Sequence, residues 1–214
     1  MNVDIIIIGY NNPEMDSSCI KEVIQNTDYP YKITYFDNYQ SGYTLTQVWN
    51  RLIKSSKSEY ICLLNNDAFP TNHWLSKLMS SLVERKSHGF IGPSTNSCHT
   101  IQSSIPSEEA TEMFSNTVIE LDNHLSGFCL LFPRTIWKKL NGFDESFTLY
   151  GQESDFIERA KRAGYKCWWR KDVFVYHIGE ATSKKFSINT EKERKKAKET
   201  YKYKELSTFS KKIK

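Results

Sequence analysis

Along residues 3–95 the hydrophobic positions change rhythm repeatedly. Val3 to Ile8 is nearly continuous and β-branched, the pattern of a strand buried on both faces. "GYNNP" interrupts it, and Cys19, Ile20, Val23 and Ile24 then recur at helical spacing until Asp28 to Pro30 ends the run. "KITYF" (32–36) reads as a second strand, closed by "DNYQSG". Leu45, Val48, Trp49, Leu52 and Ile53 form a helical stripe, Tyr60 to Leu64 a third strand, and Trp74, Leu75, Leu78, Met79 and Leu82 a further helix. "GFIG" (89–92) is a fourth strand. Alternating strands and helices predict a mostly parallel sheet with helices on both faces.

The rhythm is lost over residues 93–125, which are polar and irregular and read as a long loop with one short helix near Glu108–Phe114. Loops of this length are lids, binding loops or disordered segments, and closure of this one would exclude water. Pattern then returns. "SGFCLLF" (126–132) is a strand, and "RTIWKKLNG" a short helix stopped by Gly142. "SDFIERAKRAGY" is a helix with Phe156, Ile157, Ala160 and Ala163 on one side and Gly164 as its cap, and "KCWW" and "DVFVYH" are further strands. After residue 183 the chain is Lys-rich, either helical or disordered.

Composition changes this picture in three ways. A chain of 214 residues with 39% hydrophobic and 25% charged content suits one large globular domain or one domain with an appendage. The net charge of +4 is uneven, because residues 184–214 carry twelve Lys/Arg against four Glu, leaving the body at −4. Five cysteines without a CxxC, two of them inside apolar runs (Cys62 and Cys129), predict free buried thiols and a reducing, cytoplasmic setting. "MNVDIIII" is too short for a signal peptide or span, and no segment approaches the ~18 apolar residues a span needs. The absence of GxGxxG after the first strand argues against a dehydrogenase.

Parallel sheets bind ligands at the carboxyl ends of their strands, and here those ends are "GYNN", "DNYQ" and "NNDA". Asp67 can hold a hard divalent cation against a phosphate, or simply form an Asx turn with Asn65 and Asn66. Asp37 can accept a hydrogen bond from a base or ribose, or shape a turn. Tyr10 can stack on a base, or pack half-buried. Glu153 and Asp155 open a helix after Gly151, where the helix dipole favours carboxylates; Glu153 is also placed to be a general base. His177 ends the last strand, as a structural residue or as a second metal ligand beside Asp67.

The order of these motifs resembles family 2 glycosyltransferases of the GT-A fold, the rhamnosyltransferase-like branch above all, over residues 3–183. "VDIIIIGYNN" looks like the opening strand and nucleotide loop, and "LLNNDAFP" like the Asp-X-Asp element in an Asn-first form. The stretch "SGFCLLFPRTIWKKLNGFDESFTLYGQESDFIERAKRAGY" looks like the Gly-Phe-Asp-Glu segment with its acidic helix start, and "YHIGEATS" like the closing His-X-Gly element. A chlorella-virus glycosyltransferase domain is a more distant likeness. The resemblance implies a single Rossmann-like three-layer α/β/α domain with a mostly parallel mixed sheet and a basic C-terminal tail. Its nucleotide-binding half would be 1–95, its acceptor and catalytic half 96–183, and its tail 184–214.

The same resemblance implies roles. Gly9, Tyr10, Asn11, Asp37, Asn65 and Asn66 would hold a nucleotide-diphosphate sugar, UDP-linked rather than dTDP- or GDP-linked. Asp67 and His177 would bind Mn2+ or Mg2+. Glu153 would be the catalytic base with Asp155 as a further acid, and Phe128, Trp137 and Gln152 would face a glycan or glycolipid acceptor. The expected reaction is inverting transfer of a hexose or deoxyhexose (glucose, galactose or rhamnose) to a hydroxyl. Three departures from the pattern stand out: Gly9 replaces a hydroxyl residue, Gln152-Glu153 replaces Glu-Asp, and Trp49 precedes Asn50 where an arginine is common. The rival readings are a nucleotidyltransferase-like enzyme and a nucleotide-sugar-binding module. In these rivals "KERKKAKETYKYK" would engage nucleic acid or an anionic membrane; for the transferase it implies peripheral membrane contact at most, with nucleic acid not expected.

Overall fold

A computed structural model describes residues 2–212, with side chains given through residue 202 apart from that of residue 183. Strands and helices alternate through β1 (Val3–Gly9), α1 (Pro13–Asn26), β2 (Tyr31–Asp37), α2 (Leu45–Ser55), β3 (Tyr60–Asn65), β4 (Ala68–Pro70), α3 (Trp74–Glu84) and β5 (Gly89–Ser94). The second half holds α4 (Glu108–Thr111), β6 (Val118–Glu120), β7 (Cys129–Pro133), α5 (Arg134–Lys139), α6 (Gln152–Arg162), β8 (Lys166–His177), α7 (Ala181–Lys185) and α8 (Thr190–Lys212).

One sheet runs β2-β1-β3-β7-β5-β8-β4, with β6 also on β8. β1 pairs in parallel with β2 and β3, and β5 with β8. β7 lies antiparallel between β3 and β5, and β4 and β6 lie antiparallel to β8. Five strands therefore point one way and three the other. Successive side chains of a strand face opposite sides, so β1 feeds two cores. Ile5 and Ile7 join Val23 of α1 and Trp74, Leu75 and Leu78 of α3. Ile6 joins Trp49 and Ile53 of α2, Ile136 of α5, and Phe156 and Ile157 of α6. The layers are helix, sheet, helix.

The irregular stretch after β5 is more ordered than its polarity predicts. It contains short 3-10 turns at Ile101–Ser104 and Glu112–Phe114 besides α4 and β6. Fully buried Gln102 anchors it, donating to the Pro93 carbonyl at 2.7 Å and accepting from the Ser126 amide at 2.8 Å. "KCWW" and "DVFVYH" are one strand, β8, not two. Its register against β5 jumps from Arg170 to Phe174, and the buried Arg170–Asp172 ion pair (2.7 Å) occupies the gap.

The Lys-rich segment is helical through Lys212, and residues 213–214 of the expected tail lie outside the described residues. This helix is docked on the body. The Tyr201 hydroxyl donates to the Gly151 carbonyl at 2.9 Å, and its ring lies 4.9 Å from that of Phe147. All five cysteines are free, and four are buried. Among the described residues no helix is long and apolar enough to cross a membrane.

Candidate active site

The ends of β1, β3 and β8 open onto a cleft of about 690 Å³. β3 stops at Asn65 because the chain turns there through Asn66 and Asp67 into the three residues of β4. β4 pairs with the end of β8 so that Ala68 stands opposite His177, and the Ile178 amide donates to the Asp67 carbonyl at 3.1 Å. This short ladder, rather than any sequence proximity, brings the Asp67 and His177 side chains together, with Oδ1 and Nε2 3.2 Å apart.

The histidine is held on every side. Its Nδ1 faces the Ser97 carbonyl at 2.7 Å, so Nδ1 carries a proton and Nε2 is turned to Asp67. Asn96 clamps its backbone, accepting from the His177 amide at 2.8 Å and donating to its carbonyl at 3.1 Å. The Phe128 ring stacks on the imidazole at 5.2 Å and 22°, and the Asn65 amide lies 3.3 Å from Nε2. The Ala181 amide donates to the other Asp67 oxygen at 3.3 Å. Burial works against ionisation of Asp67, but the hydrogen bond and charge of His177 outweigh it and hold the carboxyl below its usual range. For His177 burial pulls the pKa down, and the Asp67 bond and charge overcome it, so the net shift is upward.

A divalent ion fits this pair. Two ligands at right angles, each bonded at about 2.1 Å, stand about 3 Å apart, close to the observed separation. The Nδ1–H to carbonyl bond is the usual support of a ligating imidazole. Among the described residues no group of three or more His, Cys, Asp or Glu converges on one point. Among the described residues this pair could offer two ligands, which would suit a hard cation whose remaining positions go to substrate phosphates and water.

Glu153 enters the same cleft from the first turn of α6. Its Oε2 is sealed from solvent and has no hydrogen-bond partner, and neither has Oε1 of the adjacent Gln152, which is 2% exposed. Burial raises the pKa of Glu153. Gly127 leaves it room, since a Cβ there would sit 3.2 Å from the Glu153 Cγ.

Of the residues singled out from sequence, Gly9, Tyr10, Asn65, Asn66, Asp67, Phe128, Gln152, Glu153 and His177 line this one cleft. Asn11, Asp37, Asp155 and Trp137 do not. Asp155, expected as a further catalytic acid, lies off the cleft lining. Its carboxylate is paired with Arg159 at 2.7 Å, and that guanidinium also grips the Leu140 and Gly142 carbonyls. Trp137 is not turned to an acceptor, because its indole donates to Asn50 at 3.1 Å within the second core. Phe128 reaches the cleft edge but is 1% exposed and spends its face on His177. Asp37 Oδ1 accepts from the Asn11 and Tyr39 amides, tying two strand-end loops together. Gly9 is needed for Asp16, whose Oδ2 lies 2.4 Å from where its Cβ would be.

Sequence reasoning missed several residues that line the cleft or support it. Asp16 lies behind the lining and accepts from Asn66 at 2.7 Å and from Tyr35 at 2.8 Å, yet it sits in a helix where an acid looks like a solvated face. Asn96, which holds His177, and the lining residues Ser97 and His99 lay in a stretch without period. Glu180, Lys184 and Arg194 lay in or beside the tail.

No family model matches the sequence, and no curated protein matches it. A solved structure of GalNAc-T7 with UDP, GalNAc and Mn2+ superposes with a TM-score of 0.62 at 11% identity. The match covers 82% of this chain and 43% of that one, so the chain spans less than half of its structural neighbour. The fold is thus that of GT-A glycosyltransferases.

Proposed function

We propose that this protein is a metal-dependent inverting glycosyltransferase of the family 2 kind, in its rhamnosyltransferase-like branch. It moves a hexose or deoxyhexose from a nucleotide-diphosphate sugar, by preference UDP-linked, to a hydroxyl of a glycan or glycolipid. The reading is supported by one arrangement: the Asp67–His177 pair and Glu153 line a single cleft at the strand ends of a GT-A fold. Residues 1–95 would supply the nucleotide half of the domain and 96–183 the acceptor half. The neighbouring structure's UDP and Mn2+ favour the same donor and cation class.

Asp67 and His177 would hold Mn2+ or Mg2+, whose chemistry here is Lewis-acid neutralisation of the departing diphosphate. Glu153 takes the proton of the acceptor hydroxyl as that oxygen forms its bond to the anomeric carbon. The bond from that carbon to the diphosphate oxygen breaks, its electron pair leaves with the diphosphate, and the anomeric configuration inverts. A carboxyl raised by burial is better matched to a base working near neutral pH than an ordinary glutamate. Tyr10, Asn65 and Asn66 line the cleft, where Tyr10 would border the base and Asn65 and Asn66 the ribose.

A calorimetric screen of nucleotide-sugars with and without Mn2+ tests this, followed by NMR of the product's anomeric centre. Binding that requires Mn2+, and a product of inverted configuration, are expected. Absence of binding to every nucleotide-sugar with Mn2+ present would remove the reading, and a retained configuration would remove the role of Glu153.

A further inference from the structure

The fixed cations of the cleft come from outside the unit that the sequence resemblance covers. Among its lining residues, Asp67, Glu153, Glu180 and Glu193 are acids, and the only Lys or Arg are Lys184 and Arg194. The body before residue 184 is itself net negative. A diphosphate entering this cleft would meet four carboxylates, with Lys184 and Arg194 as the permanent countercharges among the described lining residues.

Arg194 is delivered by an anchored helix. Besides the Tyr201 contact, the Thr148 hydroxyl donates to Glu193 at 3.3 Å, and Lys196 donates to the Thr148 hydroxyl at 3.4 Å. These bonds fix α8 to the loop that leads into Glu153. The Arg194 guanidinium lies 5.0 Å from the Tyr150 ring centroid, and its Nη2 bonds Glu180 Oε1 at 2.5 Å and His99 Nε2 at 2.8 Å. Glu180 directly precedes Ala181, whose amide reaches Asp67. The arginine therefore holds an anionic oxygen on the residue next to the one whose amide binds the Asp67 carboxylate. Guanidinium binds carboxylate and phosphate oxygens with the same planar fork, so the Glu180 contact marks a spot built for such an oxygen.

We infer that Arg194 on α8, with Lys184 beside it, binds the diphosphate of the donor, and that Glu180 is the resting partner which the diphosphate displaces. The inference rests on the glycosyltransferase reading and adds to it that the basic C-terminal helix is part of the donor site rather than an appendage.

The test is calorimetry of the full chain with inorganic pyrophosphate and with UDP, Mn2+ present in both. Arg194→Ala should weaken both probes by about tenfold or more, the scale of a lost charge-assisted hydrogen bond. Arg194→Lys should recover part of that loss. Glu180→Gln should shift the other way and tighten both probes, because it removes the competitor, and a merely structural role would not give that opposite sign. A thermal melt checks that each variant is folded; if Arg194→Ala is not, Arg194→Lys and Glu180→Gln carry the test. Unchanged affinity in both Arg194 variants, or weakening by Glu180→Gln, overturns the inference alone. If the unmodified chain binds neither probe, the transferase reading falls and the inference with it.

Discussion

The two walls of the cleft treat buried charge in opposite ways. On the Asp67 side both carboxylate oxygens have partners, and the imidazole opposite is bonded at both nitrogens. On the Glu153 side two oxygens, one from Glu153 and one from Gln152, are sealed away with no partner. A buried polar atom left in that condition costs about 1–3 kcal/mol. The first wall would be stable in a protein of any function. The second is left unexplained by folding, since nothing among the described residues completes it. Under the proposed reading an acceptor hydroxyl would complete the Glu153 carboxylate once the lining around its sealed Oε2 opens, which makes Glu153 the more informative residue to test.

Glu153→Gln should break this contrast most sharply. Turnover should fall by about 10²–10⁴, the usual contribution of a general base, while UDP affinity measured by calorimetry stays the same. The same change should raise the melting temperature near neutral pH. A carboxyl whose folded pKa is raised contributes stability below its unfolded value near 4.5 and loses it as pH rises through the folded value. The amide has no such loss. A variant with full turnover would end the assignment of the base, and one with an unchanged melt would mean the carboxylate is solvated after all.

Asp67→Ala comes next. It strands the His177 Nε2 and the Ala181 amide, so chemical denaturation should show a loss of about 3–5 kcal/mol, as for other broken buried pairs. Mn2+-dependent UDP binding should disappear with it. Asp67→Asn should keep more of the stability, because the amide still accepts hydrogen bonds, yet lose the metal dependence just as fully. Loss of binding in Asp67→Ala without loss of stability would show that this wall is not self-sufficient.

How much of this was legible depends on whether a residue obeys a period. The first half was readable because Val3–Ile8 and Tyr60–Leu64 are unbroken and the α2 and α3 stripes are clear. The β4 ladder was not, since three residues ending in proline after "NND" have no strand signature, although they alone register Asp67 against His177. β8 was divided because Arg170, Lys171 and Asp172 look like a turn; a buried ion pair inside a strand leaves no hydrophobic trace. The antiparallel insertion of β7 between β3 and β5 is a tertiary fact with no local signal. Asp67, Glu153 and His177, which line one cleft, could be singled out because acids and a histidine at element ends are visible. Asp155 and Trp137 look alike in sequence, and only their partners Arg159 and Asn50 withdraw them from the cleft.

A milder probe of the same contrast is pH. In chelator-treated protein the Asp67 carboxyl is depressed, so its contribution is present above its unfolded value near 3.8 and is lost as pH falls through the lower folded value. His177 is raised, so its contribution is present below about 6.5 and is lost as pH rises through the higher folded value. The pair is therefore at full strength between roughly pH 4 and pH 6.5. Thermal melts across this range should show a stability plateau that Asp67→Asn flattens. A plateau that survives the substitution would assign it to other groups.

The smallest effect should come from Gly127→Ala, whose added Cβ has three Glu153 atoms as its nearest neighbours. The new Cβ would lie 3.2 Å from Cγ and 3.3 Å from Cδ of Glu153, so the carboxylate must shift by a few tenths of an ångström. It has little freedom to do so, because its Oε2 is already enclosed. Since misplacement of about 1 Å can cost on the order of 10²-fold, a shift of this size should lower kcat severalfold. UDP affinity should not change, because the donor-side residues Asp67 and His177 are not among the neighbours of that Cβ. A fall in affinity with kcat intact would mean that Gly127 borders the donor, and that the two walls are not chemically separate.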